Sequence, residues 1–142
     1  MKTLILALLF TPLMVSASLD GVWIGSGTWD YEGSSVPCLM KISFKEDETK
    51  LQRLSGNFDC NIVGLASDQQ TWDKQNGQFL WAGQPAGHYT GTEWLTEEPY
   101  DDKVTVTTHV VRQDERLKYV ETWRNDKGDL VYTVTGEFSK RR

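Results

Sequence analysis

The chain has 142 residues, with 15 Lys and Arg against 20 Asp and Glu and a formal charge of −5. That acidic balance excludes nucleic acids and anionic membrane surfaces as partners held by a general electrostatic attraction. The length suits one domain built around one core.

The chain opens as an export signal. Lys2 supplies a positive charge ahead of the mainly apolar residues 3–15, and Val15-Ser16-Ala17 places small residues at −3 and −1 for signal peptidase. The apolar run is too short, and too soon interrupted by Pro12, to be a spanning helix. The expected organisation is a signal peptide over residues 1–17 and a single domain over 18–142 that starts at Ser18. Cleavage leaves 125 residues and removes Lys2, which moves the charge from −5 to −6. No Cys stands next to the cleavage point, so no lipid anchor is expected. The expected location is the periplasm or the medium.

Beyond the signal the hydrophobic period is two. Residues 22–29 read as a strand in which Gly25 and Gly27 permit sharp coiling or close backbone approach. Residues 36–45 and 51–60 read as a hairpin across Glu46-Asp47-Glu48-Thr49, with 61–65 continuing its second arm. Shorter strands are expected at 71–73, 78–82 and 88–95, separated by Asn76-Gly77 and by Gly83-Gln84-Pro85-Ala86-Gly87. Glu97-Glu98 and Asp101-Asp102, broken by Pro99, read as a solvated loop, since they lack the alternating Asp spacing of a calcium loop.

The last third is the most regular. Val104, Val106, Thr108 and Val110 alternate with Thr105, Thr107, His109 and Val111. Residues 117–124 and 130–138 follow the same pattern. Gln113-Asp114-Glu115-Arg116 joins the first pair as a tight hairpin. Asn125-Asp126-Lys127-Gly128-Asp129 joins the second, with Gly128 suited to a left-handed position. No window of ten residues outside the signal has a helical period. The pattern predicts an all-β protein, an antiparallel up-and-down barrel of about 8–10 strands.

Cys38 and Cys60 are the two cysteines, and both lie in the exported part. An even pair in an oxidising compartment reads as a disulfide; no Cys-x-x-Cys or flanking His completes a metal set. Six tryptophans are many for such a domain. They suit either a filled core or the wall of a ligand cavity. On chemistry and strand context the candidate wall residues are Trp29, Trp81, Tyr89, Trp94, Tyr119 and Trp123.

Catalysis finds little support. His88 and His109 fall on different predicted strands, and nothing in the spacing brings Asp73, Glu93 or Glu121 to either. Ser34-Ser35 lacks the strand–turn–helix context of a nucleophile elbow. No phosphate loop or His-Glu-x-x-His is present. No metal, cofactor or enzymatic role is expected.

Gly21-Val22-Trp23 resembles the Gly-x-Trp signature of lipocalins and the wider calycin group. That resemblance implies a barrel whose end is closed by Trp23, with Gly21 and Trp23 structural. It also implies an Arg from late in the chain packed on the Trp, for which Arg124, Arg141 and Arg142 are candidates. The function it implies is non-catalytic binding of a small hydrophobic molecule in an aromatic-lined barrel. A second resemblance is to small periplasmic inhibitors of secreted metalloproteases, carried by Trp23, Cys38, residues 56–60, Trp72 and Asn76-Gly77. It implies a protein–protein contact with a secreted protease, made through an N-terminal arm beginning at Ser18. Ser18, Leu19 and Asp20 precede Gly21, a reach of at most about 11 Å.

Overall fold

The computed structural model describes residues 17–142; residues 1–16, and with them most of the expected signal peptide, lie outside the described residues. Eleven strands form one antiparallel sheet: β1 (Gly21–Tyr31), β2 (Ser34–Glu46), β3 (Lys50–Asp59), β4 (Gly64–Ser67), β5 (Gln70–Gln75), β6 (Gln78–Trp81), β7 (Gln84–Tyr89), β8 (Glu93–Pro99), β9 (Val104–Gln113), β10 (Arg116–Asn125) and β11 (Leu130–Lys140). The described residues form no helix. β1 pairs with both β2 and β11, and β2 pairs with β3, so the sheet closes into a barrel-like ring. Closure removes most exposed edges; β4 keeps one unpaired side.

The all-β, up-and-down architecture follows from the period-two pattern. The strand number differs from the expected 8–10 at three places. Residues 61–65 do not continue the second arm of the hairpin. Asn61, at φ 62°, turns the chain, and β4 runs back along β3. Residues 84–87 are not a separator: Ala82 and Gly83 make the turn in left-handed conformation, and β7 starts at Gln84. Residues 88–95 belong to two strands, because a turn at Thr90–Thr92 divides β7 from β8. Short polar turns broken by Gly and Asn carry little hydrophobic pattern, which hides such reversals.

The meander β9–β10–β11 lies as the alternation predicts, with its turn at Asp114 (φ 55°) and Gly128 at φ 83°. Gly27 of β1 faces Gly136 of β11. A Cβ at Gly27 would lie 1.8 Å from the Thr135 carbonyl, and one at Gly136 would lie 2.6 Å from Met40 Sδ. The missing side chains let the backbones coil tightly and leave the space to Met40. Cys38 on β2 and Cys60 after β3 form the expected disulfide.

One half of the interior is filled. Trp23, Ile42, Leu51, Trp72, Phe79, Trp94 and Leu117 are each at most 1% exposed. The void left among Leu19, Ile42, Trp72 and Trp94 is about 10 Å³, barely enough for one water. Leu19 caps this end: its amide donates to Glu46 Oε2 at 2.6 Å, and its carbonyl accepts from Trp23 Nε1 at 2.7 Å. The expected tryptophan plug has different cationic neighbours from those the sequence suggested. Arg112 Cζ lies 5.3 Å from the Trp23 ring centroid and Lys140 Nζ 5.6 Å. Neither Arg124, Arg141 nor Arg142 takes that place: Lys140 lies opposite Trp23 in the β1–β11 ladder, and Arg112 reaches the ring from β9, which is not a neighbour of β1 in the sheet.

Candidate functional site

The opposite half contains a window. β4 and β5 lie end to end along β3, with Gly56 opposite Ser67 and Arg53 opposite Gln70. β4 pairs only with β3. The neighbouring β6–β7 hairpin is short and turns at Trp81–Gln84, whereas β8 runs on to Pro99. Between the chain at Ser67–Gln70 and the end of β8 no strand fills the wall. A cavity of about 260 Å³ occupies this gap, lined by Arg53, Ser67, Gln70, Glu98, Tyr100, Val106, Glu121 and Trp123 among others.

Register explains which side chains reach it. Glu98 lies opposite Val106, Val106 opposite Trp123, and Trp123 opposite Tyr132. Partners directly opposite share a face, so these four make one inward row across β8–β11. Glu121, two residues before Trp123, points the same way. On the far side a register shift at Ser43/Phe44, opposite Ser55 and Arg53, puts an extra residue into β3 and leaves Arg53 buried at 4% exposure.

The polar groups of the cavity are tied together. Arg53 Nη2 donates to Glu98 Oε1 at 2.8 Å, and Arg53 Nε donates to the Asp68 carbonyl at 2.9 Å. Glu98 Oε2 is buried and has no hydrogen-bond partner among the described residues. Glu121 is 3% exposed. Its Oε1 accepts from Trp123 Nε1 at 2.5 Å, and its Oε2 accepts from the Tyr119 hydroxyl. Burial pushes the Glu121 carboxyl up. The hydrogen bonds from Tyr119 and Trp123 and the charge of Arg53 oppose that rise, and the charge of Glu98 adds to it. Burial, then the nearby Glu121, hold the Tyr119 hydroxyl far above the usual tyrosine range.

A chain of aromatic rings leads away from the cavity, whose own lining contains Tyr100 and Trp123. Tyr100 meets Trp123 at 4.7 Å, Trp123 stacks on Tyr132 at 4.8 Å, Tyr132 meets Trp29 at 6.0 Å, and Trp29 stacks on Tyr31 at 5.5 Å. Trp29 Nε1 is buried without a partner among the described residues.

The six residues expected on a ligand wall thus divide. Trp123 lines the cavity, whereas Trp29 lies outside its lining and is linked to Trp123 through Tyr132. Tyr119 is packed between Phe58 and Phe138 and 1% exposed. Trp94, at 1% exposure, and Tyr89, packed on Phe79 at 5.0 Å, belong to the filled end. Trp94 Nε1 donates to Glu46 Oε1 at 2.9 Å. Trp81 edges a separate depression of about 150 Å³ with Gln84, Pro85 and Glu97.

Arg53, Glu98 and Tyr100 were not singled out as site residues from the sequence. The solvated-loop reading of Glu97-Glu98 is corrected: both are on β8, and Glu98 points inward to Arg53. Alternation with Trp94 and Thr96 was the available signal, but Pro99 obscured the strand. Asp101 does serve the turn, accepting from the amides of Lys103 and Val104.

No group of three or more His, Cys, Asp or Glu side chains suited to a metal ion occurs among the described residues. His109 Nε2 and Glu93 Oε1 are 2.6 Å apart on the outer face, both about 40% exposed. At the filled end Arg112 donates to the Ser18 carbonyl, and Leu19 is fully buried, so residues 18–20 are docked on the barrel. No helix among the described residues is long and apolar enough to cross a membrane. The disulfide is compatible with a periplasmic or extracellular location.

No family model and no curated protein matches the chain. Two solved structures are similar in fold. One is a protein of unknown function from the DUF3598 family of Nostoc punctiforme, at a TM-score of 0.58 and 15% identity, covering 87% of this chain and 48% of that one. This chain therefore spans about half the length of that neighbour. The other is Rv2717c from M. tuberculosis, at a TM-score of 0.54 and 15% identity, covering 87% of this chain and 93% of that one. At this identity the likeness concerns the all-β fold alone.

Proposed function

We propose that the protein is an exported, non-catalytic, lipocalin-like binder of a small molecule, held in the window between β4–β5 and β8–β10. The observation that carries this reading is the 260 Å³ cavity in which Arg53, Glu98 and Glu121 are gathered beside Trp123. Concave sites that combine aromatic surface with a few fixed polar groups are the usual form of a small-molecule site. The apolar body of the ligand lies against Trp123, Tyr100 and Val106. Its polar end meets Gln70 and the Arg53–Glu98 pair. The ligand therefore pairs an apolar face with polar groups that meet the largely polar lining. The docking of Leu19 under Trp23 supports this reading over inhibition of a secreted protease by a free N-terminal arm, which would have to pull a fully buried side chain out of the barrel.

Native mass spectrometry of the protein purified from its own host, beside a denatured control, tests the proposal. A small molecule retained only in the native spectrum, and lost from a Trp123→Ala variant, is the expected result. Retention unchanged in that variant would move binding away from the window. A bare protein in both spectra, with capture of a secreted protease, would favour the inhibitor reading.

A further inference from the structure

Resting on the window as the binding site, we infer that its ligand is an organic cation, an ammonium carried on a flat apolar body. The charges are unequal: three acidic residues, Asp68, Glu98 and Glu121, line the cavity against one guanidinium, Arg53. Arg53 is already committed to Glu98 Oε1 and to the Asp68 carbonyl, and it is 4% exposed. Its charge is offset by Glu98 at 2.8 Å, so it does not present an uncompensated cation to an anion.

With acidic residues outnumbering the one guanidinium, the lining disfavours an anionic ligand. The unpartnered acceptor is Glu98 Oε2, and a buried carboxylate oxygen without a donor is unfavourable. An ammonium brings up to three donors and a charge to that position. The rings complete the site. Trp123 and Tyr100 meet edge to face at 4.7 Å at the cavity wall, and an aromatic face attracts a cation within about 6 Å of its centre. Tyr100 is 64% exposed, so its ring is accessible from solvent. The net charge of −5 further raises the local concentration of cations.

Three probes share one ring and differ in charge: phenethylamine, 2-phenylethanol and phenylacetate. Titration calorimetry of the full folded chain with each is the test. Phenethylamine is expected to bind about tenfold or more tightly than 2-phenylethanol, a difference of about 1.4 kcal/mol, with no detectable heat from phenylacetate. Glu98→Gln should collapse the amine-to-alcohol ratio to about threefold or less. Tyr100→Leu, a change at an exposed ring that leaves the core intact, should lower the ratio without Glu98 being touched. Equal affinity for amine and alcohol would overturn the cation inference and leave the window reading standing. Tighter phenylacetate binding, or a ratio unaffected by either variant, would also overturn it. Absence of binding by all three overturns the cation class, while the host-purified native spectrum judges the window separately.

Discussion

Arg53 on β3 and Glu98 on β8 are joined at 2.8 Å across the window, with side chains 5% and 14% exposed. The pair spans the place where the sheet has no intervening strand, so it does with side chains what backbone hydrogen bonds do elsewhere. A buried pair is a weak contributor as a pair, yet removing one partner is costly because the other charge is left without compensation.

Arg53→Met is therefore expected to cost about 3–5 kcal/mol in urea denaturation. The Arg53→Met/Glu98→Leu double variant should recover much of that loss. If the two single losses simply added in the double variant, the pair would not be coupled.

Glu121 gives a pH signature. Its folded-state value lies above the ordinary 4.5, chiefly through burial. Above that ordinary value the unfolded chain loses the proton more readily, so the folded state binds more protons and stability falls as pH rises. The loss begins near pH 4.5 and levels off above the raised folded value. Glu121→Gln removes this dependence. The wild type should therefore lose melting temperature relative to the variant as pH increases from 4 upward. A gap between the two that is constant with pH would deny the carboxyl its raised value.

Trp23 is fully buried, bonded to Leu19 and flanked by Arg112 and Lys140. Trp23→Ala should destabilise the fold by about 3–5 kcal/mol, from lost transfer and the cavity left behind. It should also loosen residues 18–20, which hydrogen exchange would read as faster exchange of the Leu19 amide. A stability loss under 1 kcal/mol would remove Trp23 from its role as the plug.

The Cys38–Cys60 bond closes a loop with a sequence separation of 22. The chain-entropy model assigns such a loop about 3 kcal/mol. The Cys38→Ser/Cys60→Ser variant should lose about that much. A loss near zero would mean that the pairings of β3 with β2 and β4 already hold this corner in the unfolded ensemble.

The strands that were legible in the sequence are those whose alternation is long. β9, β10 and β11 each have ten or more residues, and their turns carry Asp114 and Gly128 in left-handed conformation. The disulfide was legible because two cysteines in a domain expected to be exported have one intramolecular pairing. β4, β7 and the start of β8 were not, since strands of four to seven residues interrupted by Pro and Gly offer too few alternations. Trp123, which lines the cavity, was chosen by residue type. That same criterion admitted Trp94, which is equally aromatic and lies in the filled end.

Arg53 and Glu98 show where reading the chain alone must stop. They are 45 residues apart, and each looks like an ordinary surface charge on an amphipathic strand. Period-two alternation determines which residues of one strand share a face, and with turn residues and cysteines it settled the all-β meander and the bridge; the barrel plug was implied only by the Gly-x-Trp resemblance. Alternation carries no information about how far a neighbouring hairpin extends. The four-residue β6, and the pairing of β7 with β8 only over Gly87–Tyr89 while β8 runs on to Pro99, open the wall and draw Arg53, Glu98, Glu121 and Trp123 around one cavity. Burial and charge balance there arise from pairing between distant strands, and only the closed sheet establishes them.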